Sequence, residues 1–144
     1  MKRIFLAITV FLLAHSLFAQ NSTKDSTAKT GKVYFLRATG MSTSMKRFFA
    51  FIDDELVCKL DEKTYSIHAL KPGKHVFSVQ FGGKKSKQKN KQIDITIEAG
   101  KLYYIQMAVQ QDIWTANINC QEITENSAKK MMTDLREEKK CDND

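Results

Sequence analysis

Apolar and polar side chains alternate along most of the chain beyond residue 32. Ile93, Ile95 and Ile97 are separated by Asp94 and Thr96, and this period of two indicates a β-strand with one face toward a core. Two further apolar rows are Phe77, Val79 and Phe81, and Tyr103, Ile105, Met107 and Val109. Strand-like runs occur at 33–38, 46–52, 56–60, 64–70, 76–81, 92–98, 102–110 and 113–123. Their spacing predicts an antiparallel all-β domain of about eight strands, folded as a two-sheet sandwich.

The period changes after residue 123. Apolar residues then recur at helical spacing, at Ala128, Met131, Met132 and Leu135, while charged residues fill the other faces. This pattern predicts one amphipathic helix over about 126–140, capped by Thr124 or Asn126. We expect its apolar stripe to cover one sheet or an open edge of the sandwich, with a partner-binding helix as the alternative.

A Pro-Gly pair at Pro72 and Gly73 predicts a chain reversal between two strands. If Ile67 faces the same core as Phe77 and Val79 of the following strand, the pairing of these two strands favours a hairpin. Its loop would have three residues and would end in a left-handed Gly73. That register would place His68 and His75 on opposite faces, which argues against a metal site that uses both.

The first nineteen residues have the pattern of a secretory signal peptide. Lys2 and Arg3 precede an apolar run over 4–14, and small residues follow near Ala19. The run is well short of the roughly 20 residues that span a bilayer, and no cysteine stands directly after the cleavage point, so we expect neither a transmembrane segment nor a lipid anchor. Residues 20–31 are polar and predict a flexible leader. Residues 32–141 then form one sandwich domain with its helix, exported to the periplasm or secreted.

Three cysteines, Cys58, Cys120 and Cys141, follow the predicted cleavage point. A terminal helix that folds back along the last strand would place Cys141 about 20 Å from Cys120, at 1.5 Å of rise per residue. Export permits a disulfide, and strand-like surroundings favour one between Cys58 and Cys120. Two buried free thiols are the alternative.

The chain carries a net charge of +7, and five of its 23 basic residues lie close together in one polar loop. That loop contains Lys84, Lys85, Lys87, Lys89 and Lys91. Such a loop can simply be solvated and guard a sheet edge, or it can contact an anionic glycan or lipid headgroup with salt-sensitive affinity. Trp114 would join the contact only if exposed, and a core or rim position is the alternative. No aromatic residues interleave the lysines, so specific nucleic-acid binding fits poorly.

Catalytic and metal-binding patterns are weak. Asp53 and Asp54 fit a tight hairpin turn, and a catalytic acid pair is the alternative. A metal site made from Cys58, His68 and His75 would need three unrelated spacings to converge. We therefore expect no catalytic residues, no metal and no cofactor.

The order of these segments resembles the domain of unknown function 2846, a family of small bacterial envelope proteins that includes many lipoproteins, and more loosely the PEGA-type sandwich modules. The matching segments are Val33-Tyr34-Phe35-Leu36-Arg37, Ile52-Asp53-Asp54-Glu55-Leu56-Val57, Tyr65, Leu70-Lys71-Pro72-Gly73-Lys74-His75 and Ala99-Gly100-Lys101-Leu102-Tyr103-Tyr104-Ile105. The resemblance implies an immunoglobulin-like antiparallel β-sandwich without known catalytic residues. Asp54 stands where the family usually has Gly, Cys58 where a small residue is common, and the lipid-attachment cysteine is missing.

Together these features predict an exported, non-enzymatic module of the bacterial cell envelope that acts by binding or by structural support. Its partner would be an unknown envelope protein or an anionic glycan or lipid. One alternative is a small envelope hydrolase or metal-dependent enzyme, which would need a pocket that gathers Asp53, Asp54, His68 or His75. The other is a purely structural or stress-related exported protein.

Overall fold

The computed structural model describes residues 29–38, 47–87, 91–111 and 116–141. Within these ranges the elements, in chain order, are β1 (Gly31–Arg37), β2 (Phe48–Ile52), β3 (Glu55–Leu60), β4 (Thr64–Leu70), β5 (Gly73–Gln80), β6 (Ile93–Ile97), β7 (Leu102–Gln111), β8 (Ala116–Ile123), α1 (Glu125–Met132) and β9 (Arg136–Glu137). The predicted signal peptide, most of the predicted leader, Lys89 and Trp114 lie outside the described residues. Strand β1 begins at the last residue that the sequence assigned to the leader.

The strands form two sheets. The larger sheet has the order β8-β7-β1-β4-β9, and the smaller has the order β3-β2-β5-β6. This confirms an all-β sandwich with one C-terminal helix. Most neighbours are antiparallel, but β1 pairs in parallel with β7, and β4 pairs in parallel with β9. The sequence prediction did not include these parallel pairs, because alternation identifies the faces of a strand and not its neighbours.

The main core lies between the sheets. The apolar rows predicted for β5, β6 and β7 all contribute to it, with Phe77, Val79, Ile97, Ile105 and Met107 almost fully buried. Burying such a side chain contributes about 1.5–3 kcal/mol relative to leaving it exposed. These rows therefore supply much of the driving force that holds the sheets together.

Helix α1 covers the outer face of the larger sheet, as the amphipathic pattern predicted. Ala128 is buried there against Leu36 and Tyr104. The hydroxyl of Thr124 caps the helix by accepting a hydrogen bond from the backbone N–H of Ser127, at 3.3 Å. This second apolar cluster gives the larger sheet buried side chains on both of its faces.

The helix is shorter than predicted. It ends at Met132, whereas the sequence pattern extended it to residue 140. Beyond it the backbone N–H of Arg136 donates to the carbonyl of Lys63, and that of Glu138 donates to Tyr65. The edge of β4 thus supplies the hydrogen bonds that further helical turns would have supplied, and the C-terminal segment follows the sheet.

The connection through Pro72 crosses between the sheets and does not form the predicted hairpin. Strand β4 pairs with β1, while β5 pairs with β2 and β6. Gly73 has φ of 144° and belongs to β5. As a result, Ser66 of β4 is fully buried and Ile67 is 39% exposed. The prediction that Ile67 faces the core was therefore wrong, and His68 lies on the inner face.

Candidate functional site

A disulfide joins Cys58 of β3 to Cys141, with the two Cα atoms 4.4 Å apart. The predicted bridge between Cys58 and Cys120 is therefore wrong. Cys120 is a buried free thiol whose S–H points to the carbonyl of Phe77, at 3.5 Å. Burial raises the pKa of this thiol to about 12. The prediction failed because it assumed a long helix, whereas the chain leaves the helix at residue 132 and follows β4 toward Cys58.

The imidazole of His68 lies beside this disulfide. One ring nitrogen of His68 and the two Sγ atoms of Cys58 and Cys141 all lie within 4.8 Å of one another. We call these three residues the sulfur–imidazole cluster. The hydroxyl of Ser66, two positions earlier on the same face of β4, lies 2.9 Å from Nε2 of His68. Phe35 of β1 packs edge-on against the imidazole, with ring centroids 5.8 Å apart.

Burial lowers the pKa of His68 to about 4. The imidazole is therefore neutral at physiological pH, which is the form that ligates metals. The metal site considered from the sequence pairs Cys58 and His68 with His75 as the third residue, and the structure places Cys141 there instead. Cys141 was missed because the predicted helix ran to residue 140 and placed Cys141 about 20 Å from Cys120, at 1.5 Å of rise per residue.

The turn between β2 and β3 is a tight hairpin, as predicted. Asp53 and Asp54 both have positive φ, at 51° and 66°, and Asp is among the residues that tolerate this conformation best. Oδ1 of Asp53 accepts a hydrogen bond from the backbone N–H of Val76, at 2.9 Å. Oδ1 of Asp54 accepts one from the side-chain amide of Gln92, at 3.0 Å. Both carboxylates thus hold the turn against neighbouring segments.

His75 lies against this turn. Its Nδ1 is 2.7 Å from Oδ2 of Asp53, and its Nε2 is 3.0 Å from the carbonyl oxygen of Lys71. Two acceptors favour the doubly protonated ring, in which both nitrogens donate. The hydrogen bond to Asp53 is the largest of the effects that raise the pKa of His75. The pair is therefore a pH-dependent contact between the turn and β5.

The residues of the enzyme alternative fall into two groups. His75 and Asp53 meet at the turn, whereas His68 belongs to the sulfur–imidazole cluster. A groove of about 380 Å³ lies elsewhere, lined by Ala38, Lys63, Met131, Asp134 and Leu135. None of the four acids and histidines considered for catalysis lines that groove.

The polar loop after β5 is organised by one buried side chain. Gln80 is 7% exposed, and its Nε2 donates to the carbonyls of Gly82, at 2.7 Å, and Lys85, at 3.0 Å. Its Oε1 accepts from the backbone N–H of Lys87, at 3.0 Å. Ser86 adds a hydroxyl contact of 2.7 Å to Ser78 of β5. We call residues 82–87 the lysine loop.

The lysine loop presents Lys84, Lys85 and Lys87 to solvent, while Lys91 is partly buried. Nζ of Lys85 lies 3.4 Å from a carboxylate oxygen of Glu55 on β3. Three of the five lysines named from the sequence thus lie on one hydrogen-bonded segment. The sequence signal was the run of five lysines in one polar segment, and nothing in that run pointed to Gln80 as the organising residue.

A buried arginine connects the two sheets. Arg37 of β1 is 2% exposed, and its Nη1 donates to the carbonyl of Leu60 on β3, at 2.6 Å. Its guanidinium lies over the ring of Phe48, 3.9 Å from the centroid, and burial lowers its pKa. Arg37 continues the inward-facing positions of Val33 and Phe35, but no sequence pattern predicted its role.

Two facing sheets with one short helix on the larger sheet define a mostly β sandwich. A family model described as a protein of unknown function, DUF2846, matches residues 27–118. The chain belongs to this family. The looser likeness to PEGA-type modules stays a prediction. A search of curated proteins returned no match.

The family match includes Cys58, His68 and the lysine loop, but it ends before α1 and Cys141. The second cysteine of the disulfide therefore comes from a segment beyond the matched region. No helix in the described part of the chain is long and apolar enough to cross a membrane.

Proposed function

We propose that this protein is an exported, non-enzymatic module of the bacterial cell envelope that binds anionic envelope components through the lysine loop. The observation that carries the proposal is the set of hydrogen bonds by which Gln80 holds the lysine loop in place. Gln80 fixes backbone groups of the loop, so the backbone that carries the lysines has little conformational freedom to lose on binding.

The disulfide supports export. Disulfides persist in oxidising compartments such as the periplasm and are rare in the cytosol. The bond between Cys58 and Cys141 agrees with the signal-peptide pattern of residues 1–19. Expression of the full chain in a bacterium, followed by fractionation and mass determination of the product, tests this part. We expect a periplasmic or secreted product that begins near Gln20, and a cytoplasmic product of full mass would contradict it.

The charge pattern of the loop supports an anionic ligand. Lys85 has an acidic neighbour in Glu55, but Lys84 and Lys87 are exposed on the same short segment. Each lysine near an anionic membrane surface contributes about 1 kcal/mol. Three such residues would therefore account for a difference of about 100-fold in affinity.

Binding is best measured by sedimentation with vesicles of phosphatidylglycerol, with phosphatidylcholine vesicles as the neutral comparison. An anionic polysaccharide, heparin, provides the second arm and separates a glycan from a lipid headgroup. We expect salt-sensitive binding to an anionic probe and a loss of about 100-fold when Lys84, Lys85 and Lys87 are changed to Gln.

The matched control changes Lys32, Lys71 and Lys130 to Gln, since these lysines are also exposed and their loss removes the same charge. The control variant should keep most of the affinity, because the net charge is equal but the loop is intact. Equal losses in both variants would show that only net charge matters and would contradict a site at the loop.

A further inference from the structure

The sulfur–imidazole cluster brings together two sulfur atoms and one imidazole nitrogen from three separate segments. Cys58 is buried on β3, His68 lies on the inner face of β4, and Cys141 follows β9. All three ligand atoms lie within 4.8 Å of one another. In a tetrahedral zinc site, bonds of about 2.3 Å to sulfur place two thiolates roughly 3.8 Å apart. Small movements would therefore let the three atoms surround one ion.

The donor set is chemically selective. Two thiolates and one imidazole, with a fourth position open to water, form a donor set used for zinc, and soft thiolate ligands disfavour magnesium and calcium. A ligating histidine usually donates its other ring N–H to a neighbouring acceptor. Ser66 Oγ lies 2.9 Å from Nε2 of His68, so it takes this role when Nδ1 binds the metal.

We propose that Cys58, His68 and Cys141 form a zinc site when the disulfide is reduced, so that the same two sulfurs hold either each other or the metal. This inference goes beyond envelope binding and does not depend on it. The position of His68 supports it, because a disulfide alone needs no imidazole beside it. Ser66 and Phe35 fix that imidazole from two sides.

The exchange between the two states balances with a dithiol as the reductant. The Sγ–Sγ bond breaks, two electrons and two protons pass to the cysteine sulfurs, and the dithiol becomes a disulfide. Zn²⁺ then replaces the two thiol protons, which leave to solvent, and the imidazole supplies its lone pair. Removal of zinc in the presence of an oxidant of the disulfide class restores the bond.

Cobalt provides a direct probe of the site. We would reduce the protein with a dithiol, remove the reductant without air, and titrate it with Co²⁺. We expect one Co²⁺ per chain, with thiolate-to-cobalt charge-transfer absorption and the visible bands of tetrahedral cobalt, displaced by one equivalent of Zn²⁺. The oxidised protein should show no charge-transfer absorption.

Variants separate this cluster from the other cysteine and histidine. Cys141→Ser and His68→Leu should each weaken Co²⁺ binding by at least about 100-fold, and Ser66→Ala by about 10-fold, within the range seen for outer partners of metal ligands. The matched controls are Cys120→Ala and His75→Asn, which remove one thiol and one imidazole away from the cluster. Both should retain the complete spectrum.

The proposal is overturned if the reduced protein gives no charge-transfer absorption with excess Co²⁺. It is also overturned if Cys141→Ser retains the absorption, or if Cys120→Ala loses it. Circular dichroism should accompany every titration. If the reduced chain unfolds, refolding on addition of Zn²⁺ supports the site, and failure to refold contradicts it.

Discussion

The sulfur–imidazole cluster and the lysine loop both attach a segment from later in the chain to strand β3, but they do so by different interactions. At Cys58 the attachment is a covalent bond in a buried environment. At Glu55 the attachment is one isolated backbone bridge to Lys85 and an exposed ion pair between the two side chains.

The difference separates a contact that stabilises the fold from one that leaves charged side chains exposed. A covalent cross-link limits the conformations of the unfolded chain and so stabilises the fold. An exposed loop on a hydrogen-bonded frame adds less to stability and keeps its charges available. We therefore expect changes at the cluster to affect unfolding, and changes at the loop to affect contacts with other molecules.

The largest effect should come from Cys141→Ser. The disulfide closes a long loop, because its cysteines are 83 residues apart in sequence, and its removal should lower the free energy of unfolding by about 2–4 kcal/mol. Denaturant unfolding of the wild type with and without a dithiol provides the measurement. The variant should match the reduced wild type and be insensitive to the reductant. If the variant is as stable as the oxidised wild type, the disulfide does not stabilise the fold, and the expected difference between the cluster and the loop is wrong.

A smaller effect is expected for Gln80→Met, which keeps the length of the side chain but removes its amide. The carbonyls of Gly82 and Lys85 and the N–H of Lys87 lose their partner, at a cost of about 1–2 kcal/mol, since the loop can turn toward water. Limited trypsin digestion should then cut the lysine loop faster than in the wild type. Unchanged digestion would mean that Gln80 does not order the loop. Cys141→Ser is the control, since it keeps the hydrogen bonds of Gln80 to the loop.

The turn beside the loop should show a pH dependence through His75. Its pKa is raised in the folded state, so the contact stabilises the protein fully below about pH 6.5 and loses this contribution as the pH rises through the raised value. Asp53→Asn keeps a residue that tolerates positive φ and an oxygen for Val76, but removes the carboxylate.

The quantity to measure is the difference in the free energy of unfolding between wild type and Asp53→Asn from about pH 5 to about pH 9. We expect the difference to be largest at the acidic end and to shrink toward the basic end. A difference that is constant across this range would exclude His75 as its source.

The smallest effect on stability should come from Lys85→Gln. Its ion pair with Glu55 is exposed, with side chains 73% and 68% accessible, and such pairs contribute about 0–1 kcal/mol. Thermal unfolding should therefore barely change, even where binding to anionic vesicles falls. A loss comparable to that of Cys141→Ser would show that the loop is a stability element after all.

Local patterns in the sequence predicted much of this fold. The apolar rows of β5, β6 and β7, the hairpin at Asp53 and Asp54, and the capping residue Thr124 are each visible within a few residues. Each of these features depends on side-chain direction or on turn preference. Side-chain direction and turn preference are local properties, so none of the three features requires knowledge of distant partners. The position of the helix on one sheet also followed from its apolar stripe.

The errors have a common physical origin in the larger sheet. Because α1 buries part of its outer face, Tyr65 of β4 packs outside while Ser66 and His68 lie inside. The alternation in β4 is therefore real, but its apolar side does not face the main core. The sequence does not indicate which element covers which face of a sheet. For the same reason it did not predict that Cys141 follows the strand that pairs with β4, or that Cys141 is the third member of the cluster.

The parallel pairing of β1 with β7 sets the order in which this fold can be completed. Strand β1 is the middle strand of the larger sheet, and Lys32 pairs with Leu102. Sheets that depend on such distant contacts fold slowly. A chain that emerges N-terminus first thus keeps one side of its central strand unpaired until β7 arrives. The disulfide closes later still, because Cys141 follows β7 in the chain.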